Sequence, residues 1–201
     1  MTQLQIVTAD ITTLEVDAIV NAANAALAPG GGVCGAIHRA AGLELAEACR
    51  GLRGCAVGDA KITRGYALPA KHVIHTVGPV YEGGGHGEAQ MLASCYRKCL
   101  EVAHEKGLMS IAFPCISTGI FGYPAREAAS VAIQATTAWL TSGREPSQVI
   151  CCCFADQDAA IYRETLAVSL GPKTPAVPTE VGTAEEEKEE RRKEQSKEGQ
   201  V

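Results

Sequence analysis

Asp17-Ala18-Ile19-Val20-Asn21-Ala22-Ala23-Asn24-Ala25-Ala26-Leu27-Ala28-Pro29-Gly30-Gly31-Gly32-Val33-Cys34-Gly35-Ala36-Ile37-His38 is the stretch on which the fold turns. Ala18 to Asn21 is a short run with β-branched Ile19 and Val20 at its centre, which reads as a strand. Gly35 to Ala48 has the length and apolar spacing of a helix. Between them, three consecutive glycines remove every side chain from the approach to a helix N-terminus. Free N–H groups and the helix dipole favour an anion at such a place.

Outward from this unit the same alternation repeats. Leu4 to Val7, Ala60 to Thr63, His72 to Val77, Ser110 to Pro114 and Val149 to Phe154 are further strand candidates, bounded by turn residues. Glu88 to Glu105, Pro124 to Thr141 and Asp156 to Ser169 are helix candidates, with Pro124 suited to a first helical turn and Gly143 to a terminus. Helices follow strands, and several strands are apolar on both faces. The class is therefore α/β, with a central sheet covered by helices on both sides. Ligands of such sheets bind beyond the carboxyl ends of the strands.

A second loop there, Ser117-Thr118-Gly119-Ile120-Phe121-Gly122, has the character of the first. One glycine-rich turn before a helix is common, but two at one sheet edge point to a shared ligand. Neither loop contains Lys or Arg, so both would hold phosphate through backbone N–H groups, and the expected ligand carries a diphosphate. No Lys-Ser or Lys-Thr follows the glycines as in a Walker loop. The first glycines also come too far after the strand for a dinucleotide fingerprint.

Composition bounds the rest. The 201 residues are 46% hydrophobic and 20% charged, enough for one domain with its own core and some chain left over. No apolar run approaches the roughly 20 residues of a membrane span. The charge of −5 has the wrong sign for a protein that holds nucleic acid by its phosphates. Nine scattered cysteines, and a start without a basic n-region or apolar h-region, point to a reducing intracellular compartment, with the cytoplasm first. From Gly171 the apolar periodicity stops, prolines at 172, 175 and 178 break any helix, and 185–198 is almost entirely charged. The domain is expected to span 1–170, with 171–201 a solvated, disordered tail.

Other polar residues carry less. His72 and His75 are three apart on a strand and point to opposite faces, which argues against a metal pair. Cys95, Cys99 and Cys151 to Cys153 read as small core residues, and Gly83 to Gly87 as a mobile connection. No metal or cofactor is expected.

Together, Asp10-Ile11-Thr12, Asp17 to Asn24, Gly30 to Val33, Gly35 to His38, Ala40 to Gly42, Ile74 to Pro79 and Ile116 to Pro124 make the chain resemble the macrodomains, and within them the MacroD-like class, over about residues 4–169. The resemblance implies a three-layer α/β/α sandwich around a mixed sheet of about six strands, and ADP-ribose as ligand. It gives Asp10 the adenine amino group, with the Ile11 backbone beside it, and Phe154 the stacking face. Asn24 orients the distal ribose, whereas Asn21 is a buried residue tying loop to strand. Gly31, Gly32 and Val33 enclose the diphosphate with Ser117, Thr118, Gly119, Ile120 and Phe121, and Phe121 lies over the distal ribose. The ester to be cleaved projects toward Asn24 and Cys34.

Two positions depart from the pattern. Ala9 replaces a glycine, a small change at a strand end. Cys34 stands where most MacroD-like hydrolases have an aspartate that positions or activates water. Three readings of Cys34 follow: a nucleophile with a lowered pKa, a small lining residue near bound water, or a loss of catalysis. The expected function is hydrolysis of ADP-ribosyl esters, from Asp or Glu of mono-ADP-ribosylated proteins or from O-acetyl-ADP-ribose, with Asn24 and Cys34 at the reacting end. The alternative is a reader that binds without turnover, and a weaker third is a hydrolase of another ADP-ribose derivative. Partners are thus ADP-ribose, its esters and modified proteins, with no membrane or nucleic acid, and the chain is expected to act as a monomer.

Overall fold

A computed structural model of the chain describes residues 3–170. The expectation of a charged tail at 171–201 lies outside them. The chain runs β1 (Gln3–Thr8), a 3-10 turn (Ile11–Thr13), β2 (Ala18–Ala22), α1 (Gly32–Ala41), α2 (Leu43–Gly51), β3 (Ala60–Arg64) and β4 (His72–Thr76). It continues with α3 (Glu88–Glu105), β5 (Ser110–Phe113), α4 (Ala125–Thr141), β6 (Gln148–Cys153) and α5 (Asp156–Leu170). The six strands form one sheet in the order β1-β6-β5-β2-β4-β3, parallel except for β3, which runs antiparallel to β4 at an edge.

Both faces of this sheet are covered, as runs apolar on both sides require. Ala18, Val20, Ile111, Phe113, Cys151 and Cys153 point to one face and pack beneath α3, α4 and α5, with Tyr96, Leu100, Ile133 and Tyr162 between. Their alternates Ile19, Ala112, Ile150 and Cys152 meet Ile37 and Ala41 of α1 and Leu45 and Cys49 of α2. The result is the expected α/β/α sandwich.

Asp17 aligns the central strands. Its Oδ2 accepts from the N–H groups of Met109 (2.9 Å) and Ser110 (3.1 Å), and its Oδ1 from Lys71 Nζ at 2.7 Å. Burial works to raise the Asp17 carboxyl, but these partners, Lys71 first, hold it below its usual value. By fixing where β2 and β5 begin, Asp17 brings their carboxyl ends, and the loops that follow, to one edge.

Three expectations need correction. The helix read as Gly35 to Ala48 is two helices, starting at Gly32 and broken at Gly42, whose φ of 89° lies in the region that favours glycine. Pro124 caps α4 from outside, with ψ 128°, rather than opening its first turn. The Gly83 to Gly87 connection is held rather than loose. Glu88, 1% exposed, accepts from the N–H groups of Glu82 (3.1 Å), Gly84 (3.1 Å) and His86 (2.7 Å). These bonds, with its own N–H the largest contributor, outweigh burial and lower the Glu88 carboxyl to about 2.

Candidate functional site

A cavity of about 490 Å³ opens beyond the carboxyl ends of β1, β6, β5 and β2, between the two glycine-rich loops. Asp10, Ile11, Asn24, Gly31, Gly32, Val33, Cys34, Ser117, Thr118, Gly119, Ile120, Phe121 and Phe154 all line it. Each sequence-nominated residue is thus in one place. Sequence reasoning passed over two charged residues that line it too, Arg39 and Asp158.

The first loop is built around a single carbonyl. The Asn24 side chain binds Ala28 in both directions, Nδ2 donating to its oxygen at 2.8 Å and Oδ1 accepting from its N–H at 3.1 Å. Cys34 Sγ donates to the same oxygen at 3.7 Å. An amide has two N–H donors and two lone pairs, so Asn24 keeps one of each for a ligand while its orientation is fixed. Beyond Gly31, which caps α1, the N–H groups of Gly32, Val33 and Cys34 belong to the first helical turn and have no intrahelical acceptor. Gly35 packs against the loop so closely that a Cβ there would collide with the Gly30 carbonyl oxygen.

The second loop follows β5. Ser117 adopts φ 66°, uncommon for a residue with a side chain. Its Oγ is buried and has no partner among the described residues. Thr118 Oγ1 donates to the Cys115 carbonyl at 3.0 Å, and the Tyr123 N–H to the Ser117 carbonyl at 3.0 Å. With Thr118 N–H to the Cys115 carbonyl (3.4 Å) and Gly122 N–H to the Gly119 carbonyl (3.0 Å), these bonds close the turn from within and leave the N–H groups of Gly119, Ile120 and Phe121 without a backbone acceptor among the described residues. Tyr81 N–H holds the Phe121 carbonyl at 2.9 Å. Ile120, 84% exposed, reaches across to Gly31: its Cδ1 would lie 3.3 Å from a Cβ on that glycine. The two loops therefore meet over the cavity through this one side chain.

At the β1 and β6 end stand Asp10, Phe154 and Asp158. Asp10 Oδ1 caps the 3-10 turn, accepting from Thr12 N–H (2.9 Å) and Thr12 Oγ1 (2.7 Å), which leaves Oδ2 for a ligand. Phe154 is 83% exposed, an unusual state for a ring at a strand end and one that suits a stacking platform. Between the ends, Cys115 and Cys152 line the floor. The hydrogen bond to Cys153 and burial push the Cys115 thiol up, and burial raises Cys152 to about 11. Neither is a nucleophile near neutrality.

Cys34 is 4% exposed and accepts from Asn21 Nδ2 at 3.7 Å. Asn21 also donates to His75 Nδ1 at 3.1 Å, so it ties β2 to β4 and α1 rather than to the loop alone. His75 Nε2 faces Thr63 Oγ1 at 2.9 Å, and burial, with His38 nearby, lowers His75 to about 4. His38 lies one turn after Cys34 on α1 and is 7% exposed, with neither ring nitrogen partnered among the described residues. Burial lowers its pKa as well. Both imidazoles are neutral near pH 7, so neither places a cation beside Cys34.

Among the described residues no cluster of three or more His, Cys, Asp or Glu is placed to hold a metal, and no helix is long and apolar enough to cross a membrane.

Comparison with known proteins agrees with this geometry. The family model described as Macro domain matches residues 20–132. A macro domain-containing protein of Chlorobaculum tepidum is 60% identical over 159 residues, covering 79% of this chain and 92% of that protein. ADP-ribose glycohydrolase MACROD1 of Rattus norvegicus is 54% identical over 159 residues, 78% of this chain and 62% of that longer protein. A Trypanosoma brucei macrodomain solved in complex with ADP-ribose superposes with a TM-score of 0.75 at 41% identity, covering 80% of this chain and 68% of that one.

Proposed function

The chain belongs to the macro domain family, and on that premise we propose that it hydrolyses ADP-ribosyl esters: mono-ADP-ribose on Asp or Glu of proteins, and the acetyl ester of O-acetyl-ADP-ribose. The observation that carries this reading is the single cavity onto which Asp10, Phe154, Asn24, Cys34 and both glycine-rich loops converge. The relative named ADP-ribose glycohydrolase and the neighbour solved with ADP-ribose support the same ligand.

Adenine stacks on Phe154, its amino group donating to Asp10 Oδ2, with the Ile11 backbone beside it. The diphosphate lies between the N–H groups at the start of α1 and those of Ser117 to Phe121. This neutralises two negative charges by fixed dipoles rather than by lysines. Asn24, held by Ala28, offers its remaining N–H and lone pair to the distal ribose hydroxyls. The ester then points into the corner formed by Asn24 and Cys34.

Hydrolysis adds one water across the ester, giving ADP-ribose and a carboxylic acid that ionises at neutral pH. Among the described residues no carboxylate stands in that corner, because the two that line the cavity, Asp10 and Asp158, belong to the β1 and β6 end. The proton of the attacking water therefore passes to a phosphate oxygen of the ligand, directly or through a second water. The loops contribute position and charge stabilisation. Cys34 serves as a small wall for that water.

The same absence favours a second reading, a module that binds ADP-ribosylated protein without turnover. One experiment separates them: release of ADP-ribose from a protein modified at glutamate, for wild type and Asn24→Ala, with ADP-ribose affinity measured calorimetrically on the same samples. Release that Asn24→Ala abolishes supports the hydrolase. Binding without release leaves the reader, and failure to bind ADP-ribose overturns both.

A further inference from the structure

Behind the Asn24 and Cys34 corner, polar side chains are joined in a file that crosses the sheet out of reach of water. Parallel pairing sets Asn21 of β2 directly beside His75 of β4, and antiparallel pairing brings Thr63 of β3 within reach of the far side of the ring. Asn21 and His75 are fully buried. Cys49 of α2, also buried, covers the imidazole, its Sγ 3.7 Å from Nε2 and 4.0 Å from Nδ1. The ring is boxed on three sides and has no room to turn.

The protons of this file run in one direction. Thr63 Oγ1 donates to the Val73 carbonyl at 3.5 Å, so its oxygen accepts from His75 Nε2 at 2.9 Å. A neutral imidazole with its proton on Nε2 has only a lone pair at Nδ1, and burial keeps this ring neutral, with its pKa lowered to about 4. That lone pair takes an N–H of Asn21 Nδ2 at 3.1 Å. The second N–H of the same amide goes to Cys34 Sγ at 3.7 Å, and the Cys34 thiol donates onward, at 3.7 Å, to the Ala28 carbonyl that also holds Asn24. The arrangement leaves Asn21 Oδ1 buried without a partner among the described residues, which is costly. Turned over, the amide would set that oxygen against the Nδ1 lone pair. His75 thus decides which end of Asn21 faces Cys34.

We propose that His75 is a positioning residue for the reacting corner: the acceptor at Nδ1 holds the Asn21 amide with its N–H groups toward Cys34, which keeps the thiol proton on the Ala28 carbonyl and fixes the polarity that the attacking water meets. This inference rests on the reading above that the ester lies toward Asn24 and Cys34. Without that acceptor Asn21 turns over, and its oxygen draws the Cys34 proton away from Ala28. ADP-ribose itself is held independently of the file, because Asn24 keeps both of its own bonds to Ala28.

The test uses the full chain, O-acetyl-ADP-ribose and a peptide ADP-ribosylated on one glutamate. Two variants replace different ends of the ring. His75→Asn carries an amide oxygen to the place of Nδ1, whereas His75→Gln reaches toward Thr63 in place of Nε2 and leaves Asn21 without its acceptor. His75→Gln should lower kcat for both esters roughly fivefold, the worth of one buried hydrogen bond, with the calorimetric Kd for ADP-ribose near the wild-type value. His75→Asn should keep most of the wild-type kcat, although it fills the site less well and should melt at the lower temperature of the two. A residue that only filled space would give the reverse order. Long-range proton–nitrogen NMR spectra of wild type should show His75 with its proton on Nε2. Equal kcat in the two variants, or the higher value in His75→Gln, overturns the proposal, as does a loss of ADP-ribose affinity in parallel with kcat. A proton on Nδ1 overturns it even where a substitution prevents folding. If wild type binds the peptide without release, the same order is read from the Kd of the intact modified peptide relative to that of free ADP-ribose. Failure of wild type to bind free ADP-ribose overturns the functional reading instead, and is distinguished by that measurement alone.

Discussion

Gly35→Ala tests the joint between loop and helix on which the diphosphate site depends. The Gly35 N–H bonds the Gly31 carbonyl at 3.3 Å, and an added methyl meets the Gly30 peptide, its carbonyl carbon at 3.5 Å and its oxygen in outright collision. Arg39 Nη1, at 3.1 Å, ends a flexible chain and can swing away, but the Gly30 peptide cannot move without carrying Gly31 and Gly32 along. Two effects on stability oppose each other. Alanine gains about 0.5–1 kcal/mol over glycine inside a helix, whereas overpacking costs about 1–3 kcal/mol. The net loss is of order 1–2 kcal/mol, a fall of only a few degrees in Tm for a domain of this size. Binding should suffer far more, because the displaced peptide leads straight into the N–H groups that face the diphosphate. A misplacement of about 1 Å at such a site costs up to ~100-fold. We expect at least a tenfold weaker Kd for ADP-ribose by calorimetry, with a cooperative melt retained. Gly51→Ala, at the end of α2 where an added Cβ meets nothing within 4 Å, is the control: it should leave the ADP-ribose Kd unchanged and shift stability only upward, by no more than the helix gain of about 0.5–1 kcal/mol. Wild-type ADP-ribose affinity in a folded Gly35→Ala protein would refute the argument.

Other substitutions probe the remaining parts. Cys34→Asp puts a carboxylate beside Asn21 Nδ2 at the reacting end and should raise ester hydrolysis at least tenfold; unchanged turnover with intact ADP-ribose affinity would remove this position from the catalytic account. Phe154→Ala removes a ring that is 83% exposed, so the melting temperature should hardly move while the ADP-ribose Kd rises roughly tenfold. An unchanged Kd would show that adenine does not stack there. For Glu88, the folded-state pKa is depressed from 4.5 to about 2, so its contribution is full above about pH 4.5 and is lost as pH falls toward 2. The Tm difference between wild type and Glu88→Gln should therefore shrink over that window, and a difference independent of pH would mean that the carboxylate charge is not what holds the 82–88 turn.

Strands and most helices were legible because their boundaries are set locally, by apolar runs between turn residues. The break at Gly42 was not, for a specific reason: Ile37, Ala41, Leu45 and Cys49 are all buried and stay four residues apart straight through it. The periodicity does not register the change of direction, and only Gly42 itself gives a local sign. The glycines of 83–87 suggest mobility because glycine is permissive. What fixes them is three N–H groups converging on one buried carboxylate, a relation that spacing cannot display. The cavity residues were found through the two loops and the family resemblance. Arg39 was missed because it sits among exposed positions late in a helix, and only the glycine one turn earlier marks the path its side chain takes. Asp158 belongs to the same class, a first-turn acid that becomes a cavity residue only once α5 is placed after β6.

The distribution of charge follows from the ligand proposed. An acidic chain that bound phosphate through lysines would attract every polyanion of the cell, and its affinity would fall steeply with salt. N–H dipoles at the start of α1 and along Ser117 to Phe121 act only at contact distance, so they select for an anion that fills both loops at once. The carboxylates Asp10 and Asp158 stand at the β1 and β6 end, where the ligand presents a neutral base with an amino donor rather than charge. On this layout the net charge of −5 is compatible with a diphosphate site, because the field that matters to the ligand is set by backbone orientation and not by the sum of side chains.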